Sequence, residues 1–204
     1  MANPLTGWLR RRRYGDEIVV VSGLPRSGTS MMMKMLESGG LEIMSDGVRE
    51  ADDDNPKGYY EYERVKELEK ETDKSWVRQS RGKVIKVISH LLKELPDDCF
   101  YRVVLMRRNL DEVVSSQNKM LAHRHEENPI EDERVKELYR KHLIHARLMM
   151  RERKNFELLE VTYGNAVADP AGVAAEVQRF LGGRLELDEM QVAVDPTLYR
   201  NRSL

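Results

Sequence analysis

The chain carries a single cysteine, Cys99, in 204 residues. No internal disulfide can form, and the expected setting is a reducing cytoplasm. Long apolar runs are also missing. Ile18-Val19-Val20-Val21 falls far short of the roughly 20 residues that cross a bilayer, and Asp16 and Glu17 precede it, so neither a signal peptide nor a transmembrane segment is expected. Net charge is nearly absent: 34 Lys and Arg stand against 35 Asp and Glu. That balance excludes a global attraction to nucleic acid or to an anionic membrane, so any anion site must be a local cluster. Metal-ligand patterns are missing as well. Asp52-Asp53-Asp54 lacks the rest of a calcium loop, His142 and His145 lack a third ligand at a sensible spacing, and the methionines of residues 31–35 have no Cys or His nearby. No metal is expected.

What the chain does have is Gly23-Leu24-Pro25-Arg26-Ser27-Gly28-Thr29-Ser30, directly after the apolar run. Strand, glycine-rich turn and helix in this order make a phosphate-binding loop. Thr29 stands where a nucleoside-triphosphate loop has the lysine that reaches the β- and γ-phosphates. The positive side chain sits earlier, at Arg26. Backbone N–H groups at the helix start still hold a phosphate, but the loop is poorly equipped for a triphosphate with its metal.

Around this loop the pattern alternates. Strands are expected at 17–22, 41–44, 83–88, 101–106 and 156–161. Helices are expected at 28–38, 60–73, 110–122, 131–152 and 170–181. Asn109 or Asp111 caps the third helix. Pro170 opens the last one and Gly182-Gly183 closes it. Met31, Met32, Met35 and Leu36 read as a core-facing stripe. Residues 52–58 read as an acidic loop. Arg10-Arg11-Arg12-Arg13, beside Trp8, can meet lipid or a polyanion, but residues 1–16 read as a solvated tail ahead of one domain at 17–204. Alternating strands and helices imply an α/β fold, a parallel β-sheet flanked by helices of the P-loop-containing nucleotide-binding type. Its ligand belongs at the carboxyl ends of the strands, after residues 22, 86, 106 and 161.

Pro25-Arg26-Ser27-Gly28-Thr29-Ser30 resembles the 5′-phosphosulfate loop of the sulfotransferases that use 3′-phosphoadenosine 5′-phosphosulfate (PAPS). Arg108-Asn109-Leu110-Asp111-Glu112-Val113-Val114-Ser115-Ser116 resembles their 3′-phosphate motif, an Arg at a strand end followed eight residues later by a helical Ser. Leu110 stands where many members have proline. Val161-Thr162-Tyr163, with Asp169-Pro170 and Phe180-Leu181-Gly182, is similar to the segment near the adenine. The resemblance implies that residues 25–30 hold the 5′-phosphosulfate, that Arg108 and Ser116 hold the 3′-phosphate, and that Tyr163 lies near the adenine. Arg200 and Arg202 take the place of the family's carboxy-terminal basic loop. Chemistry agrees: Arg108 offers a planar fork and Ser116 a hydroxyl for one phosphate, and the helix start offers a positive dipole end for the other.

The resemblance also implies a sulfotransferase with PAPS as co-substrate and a small-molecule or protein acceptor. In-line sulfuryl transfer needs positioning and charge stabilisation, which Arg26 and Lys86 supply. The acceptor needs a base. Asp46, Glu50, Glu61 and His90 are candidates, with Asp46 first, twenty residues after Arg26, and His90 second. Tyr59, Tyr60 and Tyr62 are expected in the acceptor wall. The rival readings are a P-loop nucleotide kinase or triphosphatase, and a non-catalytic nucleotide-binding protein.

Overall fold

The computed structural model describes residues 4–47, 60–123, 125–126, 128–183, 185–195 and 197. Glu50, Tyr59, the acidic loop at 52–58, Arg200 and Arg202 lie outside the described residues.

Four parallel strands, β1 (Ile18–Gly23), β2 (Val84–Lys86), β3 (Tyr101–Arg107) and β4 (Phe156–Thr162), form a sheet in the order β2-β1-β3-β4. The register sets Val21 opposite both Lys86 and Val104, and Met106 opposite Val161, so all four strands end at one edge. Every residue of β1 is buried, as expected for a central parallel strand with both faces covered. Its side chains alternate between two cores. Val19 and Val21 join Met32, Met33, Met35 and Leu36 on one face, while Ile18 and Val20 join Trp76, Leu92 and Met150 on the other.

The helices are α1 (Pro4–Tyr14), α2 (Thr29–Ser38), α3 (Leu110–His123), α4 (Asp132–Glu152), α5 (Tyr163–Ala168), α6 (Pro170–Leu181) and α7 (Leu187–Val192). Asn109 caps α3, since its Oδ1 accepts the Asp111 N–H at 2.8 Å. In α6, Pro170 occupies the first turn, Asp169 accepts the Gly172 N–H, and Gly182 ends the helix at φ 91°.

Several segments differ from the sequence expectation. Residues 4–14 form helix α1 rather than a solvated tail. Arg10 packs 4.1 Å over the Phe100 ring and bridges to Glu157 at 2.7 Å, and Tyr14 is buried against Phe100. Instead of a strand at 41–44 there is one bridge, Ile43 to Val84, in which the Val84 N–H donates to the Glu42 carbonyl and the Met44 N–H to the Val84 carbonyl, both at 2.8 Å. The helix expected at 60–73 is a 3₁₀ turn over Glu63–Glu67 followed by irregular chain. Here charged residues outnumber apolar ones, and Val65 and Leu68 alone among residues 63–70 reach the core. The strand expected at 83–88 shortens to Val84–Lys86, since Ser89 starts another 3₁₀ turn, Ser89–Glu94.

Candidate active site

The phosphate loop leaves β1 at Gly23 and enters α2 at Thr29. Its turn closes where the Ser27 N–H and Oγ both donate to the Leu24 carbonyl, at 3.2 and 2.7 Å. Glycine is required at two places. A Cβ on Gly23 would stand 2.8 Å from the Met106 carbonyl. One on Gly28, where φ is 98°, would stand 2.3 Å from the Tyr163 ring. Tyr163 therefore lies directly against the start of α2, and its burial pushes its phenol pKa upward. The first N–H groups of α2 have no acceptor within their own helix. Together with the dipole they form an anion cradle at the carboxyl edge of the sheet.

Two groups of donors flank the loop. On the β3 side, Arg26 Nε donates to Ser116 Oγ at 3.0 Å, and Arg108 donates to the Arg26 carbonyl at 3.2 Å. Arg26 holds φ 68°, a left-handed conformation unusual for a residue with a Cβ. Arg108 is only 8% exposed. Its Nε donates to Glu112 Oε2 at 2.8 Å, and its guanidinium stacks 4.6 Å from the Tyr163 ring centroid. The Arg108 and Glu112 pair lies one helical turn apart. With both side chains buried, the pair braces the loop from beneath.

On the β2 side, Lys86 Nζ donates to Ser30 Oγ at 3.3 Å and lies 3.9 Å from a carboxylate oxygen of Glu61. Lys66 approaches the other oxygen of Glu61 at 3.2 Å. The Glu61 backbone is fixed through its carbonyl, which accepts from Ser45 Oγ and from the Asp46 N–H. Tyr60, at φ 51°, donates its hydroxyl to Glu37 of α2 at 2.9 Å. Asp46 itself is exposed, and its carboxylate accepts the Glu63 N–H at 2.5 Å. His90 is exposed on the turn after β2. Tyr62 packs on Trp76, its ring centroid 5.3 Å away.

The fold thus brings Pro25, Arg26, Ser27, Gly28, Thr29, Ser30, Lys86, Arg108, Ser116 and Tyr163 to one edge of the sheet. Asp46 sits instead at the start of the 3₁₀ turn. Glu61 ranked below Asp46 and His90 on spacing, yet it is the carboxylate found beside Lys86. The Pro56-Lys57-Gly58 break before it interrupts any periodicity that could have placed it. Among the described residues no group of three His, Cys, Asp or Glu is arranged to hold a metal, and no helix is long and apolar enough to cross a membrane.

The family model for the sulfotransferase domain matches residues 16–202, most of the chain. No curated protein matches it. Among solved structures, the chain is similar to the sulfotransferase domain of the olefin synthase of Synechococcus PCC 7002, with 17% identity and a TM-score of 0.52 over 93% of this chain and 89% of that one. It is also similar to the sulfotransferase domain from the curacin biosynthetic pathway, with 14% identity and a TM-score of 0.50 over 88% of this chain and 78% of that one. At such identities the likeness speaks for the fold alone, whereas the family match extends over the phosphate loop, Lys86 and the Arg108 motif. The chain belongs to the sulfotransferase domain family.

Proposed function

We propose that this sulfotransferase binds PAPS across the phosphate loop and moves its sulfuryl group to a hydroxyl or amine acceptor, without a metal, in the cytoplasm. The observation that carries the reading is the pair of donor groups on either side of one loop, matching a donor with two separate anionic ends. Arg108 and Ser116 suit a 3′-phosphate, with bidentate, charge-assisted hydrogen bonds. The bond from Arg26 to Ser116 supports assigning Arg26 to this end rather than to the sulfuryl group, the role expected of it from the loop. The α2 N-terminus, Ser30 and Lys86 suit the 5′-phosphosulfate. Tyr163, stacked on Arg108, gives an aromatic surface near the base.

In the reaction the acceptor oxygen or nitrogen attacks sulfur as the bond from sulfur to the bridging phosphate oxygen breaks. Charge grows on that oxygen, and a preorganised ammonium and the helix dipole stabilise it there. Lys86 is the side chain we assign to this role, because it bonds Ser30 at the start of α2. The acceptor proton goes to a base, and Glu61 is the carboxylate we assign, because it lies beside Lys86. Asp46 is engaged as a backbone cap, which makes it the weaker candidate. Products are the sulfated acceptor and adenosine 3′,5′-bisphosphate.

The test is a thermal-shift titration with adenosine 3′,5′-bisphosphate against ATP plus magnesium, with and without EDTA. The bisphosphate is expected to raise the melting temperature, because a ligand that binds only the folded state stabilises it, and EDTA is expected to leave that rise intact. A larger rise with ATP and magnesium, abolished by EDTA, would make the site a triphosphate site and overturn the reading.

A further inference from the structure

The arginine run of residues 10–13 takes no part in the donor site. It lies at the opposite edge of the sheet. Helix α1 leads into the amino end of β1, and the phosphate loop leaves the carboxyl end. Six residues of strand separate the two, about 20 Å at 3.3 Å per residue.

At 3.6 residues per turn, Arg10 and Tyr14 share one side of α1. That side is docked: Arg10 bridges to Glu157 and covers Phe100, and Tyr14 is buried. The opposite side presents Trp8, Leu9 and Arg12, with Arg11 and Arg13 exposed on its two flanks. Trp8 is 59% and Leu9 58% exposed, two adjacent large apolar residues in solvent. The acidic groups nearest the helix are already engaged. Asp16 pairs with Arg11, Glu157 with Arg10 and Arg102, and Glu17 with Arg102. Arg12 and Arg13 face aromatic rings, of Trp8 at 5.5 Å and of Tyr14 at 5.1 Å. The outer face therefore combines positive charge of one sign with an exposed indole and an exposed leucine, on a chain whose overall charge is -1.

We propose that the outer face of α1 docks this enzyme on an anionic membrane surface. The arginines complement acidic headgroups, each at a favourable interaction within a Debye length. Trp8 and Leu9 enter the boundary between headgroups and acyl chains, where an indole is well accommodated. A soluble polyanion would satisfy the arginines and leave Leu9 in water, so the pairing of charge with apolar side chains favours the lipid surface. Docked this way, the donor loop points away from the bilayer.

The protein supplies its own probe, because Trp8 is exposed while Trp76, the other tryptophan, is 2% exposed in the core. The full chain is titrated with vesicles of phosphatidylcholine alone and with about one-third phosphatidylserine. The emission is expected to shift to the blue, with cosedimentation, on the anionic vesicles only. Arg11→Gln/Arg12→Gln/Arg13→Gln is expected to weaken partitioning on the order of 100-fold. Trp8→Ser/Leu9→Ser is expected to weaken it at least about tenfold. Melting temperature and bisphosphate binding are expected to stay unchanged in both, which separates surface loss from misfolding. Absence of binding to anionic vesicles overturns the proposal. So does binding to heparin that Trp8→Ser/Leu9→Ser leaves intact while vesicles bind no better, which makes the face a polyanion site. A blue shift that depends on protein concentration without vesicles makes it a contact between copies and overturns it equally.

Discussion

On the β3 side of the phosphate loop, Arg26, Ser116, Arg108, Glu112 and Tyr163 bond or stack on one another, and most are carried by the ends of regular elements. On the β2 side, Lys86, Ser30 and Glu61 meet at longer range, 3.3 and 3.9 Å, and Glu61 is carried by chain outside any helix or strand. The half we assign to the donor's 3′ end is prebuilt and its ion pair is buried, while Ser30 and Lys86, assigned to the donor's sulfuryl end, lie in the other half, where the acceptor must come. The acceptor half is held by side chains reaching backbone, at Ser45 and Asp46, and by the Tyr60 hydroxyl on the Glu37 carboxylate. A donor shared by a whole family needs one fixed shape, and a charged fork that is already oriented loses little entropy on binding. An acceptor varies, and irregular chain varies most easily.

The sharpest way to break this comparison is to remove the proton acceptor without touching the half assigned to the 3′-phosphate. Glu61→Gln keeps size and hydrogen-bonding capacity but cannot take a proton. Turnover is expected to fall by roughly 10²–10⁴-fold, with bisphosphate affinity little changed. Asp46→Asn is expected to change turnover less than about tenfold, since its oxygen still accepts the Glu63 N–H. Steady-state kinetics beside thermal-shift binding checks both. If Asp46→Asn carries the large loss instead, the base is Asp46 and the acceptor half is reorganised when substrate binds.

The half assigned to the 3′-phosphate calls for a paired substitution. Arg108→Ala alone leaves the Glu112 carboxylate buried without its partner, and stranding one member of a buried pair costs about 3–5 kcal/mol of stability. Arg108→Gln/Glu112→Gln removes both charges and retains a hydrogen bond. Its affinity for adenosine 3′,5′-bisphosphate is expected to fall by about 1.5–3 kcal/mol, the worth of a charge-assisted contact. Affinity for adenosine 5′-monophosphate is expected to stay, because that ligand lacks the 3′-phosphate. Isothermal titration of both ligands decides it. Equal losses would place Arg108 away from the 3′ end.

This asymmetry also governs what the sequence discloses. The phosphate loop is local, so Gly23, Arg26 and Gly28 are legible from spacing alone, and the strand and helix around them follow from unbroken β-branched residues and a methionine stripe. The Arg108 motif is legible because strand end and helix start are adjacent in the chain. Glu61 is not, because its meeting with Lys86 spans 25 residues with no regular element to count along. Glu112 is visible only as an i,i+4 partner, a spacing that cannot distinguish surface from core. Gly28 reads as a turn glycine, but the Tyr163 ring that demands it comes from the far end of the chain. Helix α1 reads as a tail since its anchors, Phe100 and Glu157, lie on other strands or their approaches.

The smallest expected effect is one of pH, and it probes how the acceptor half is fastened. Ser89, buried at the turn after β2, bonds His142 Nε2 of α4 at 2.8 Å. Burial holds the His142 pKa below its ordinary value of 6.5, and the neighbouring His90 and His145 push the same way. The folded chain therefore binds this proton less readily than the unfolded one. Between the lowered value and about 6.5 the unfolded state carries more protons, so stability falls as pH drops through that window. Melting temperature is expected to decline on acidification from pH 7.5 to about 5.5, with turnover declining before bisphosphate affinity does, because Ser89 lies three residues beyond Lys86 and far from the Arg108 cluster. His142→Gln, which keeps a polar group for Ser89 and cannot titrate, is expected to flatten part of that decline. A variant whose pH profile matches that of the parent chain in both melting and turnover would show that this bond does not fasten the turn, and the looseness of the acceptor half would then rest on the residues around Glu61 alone.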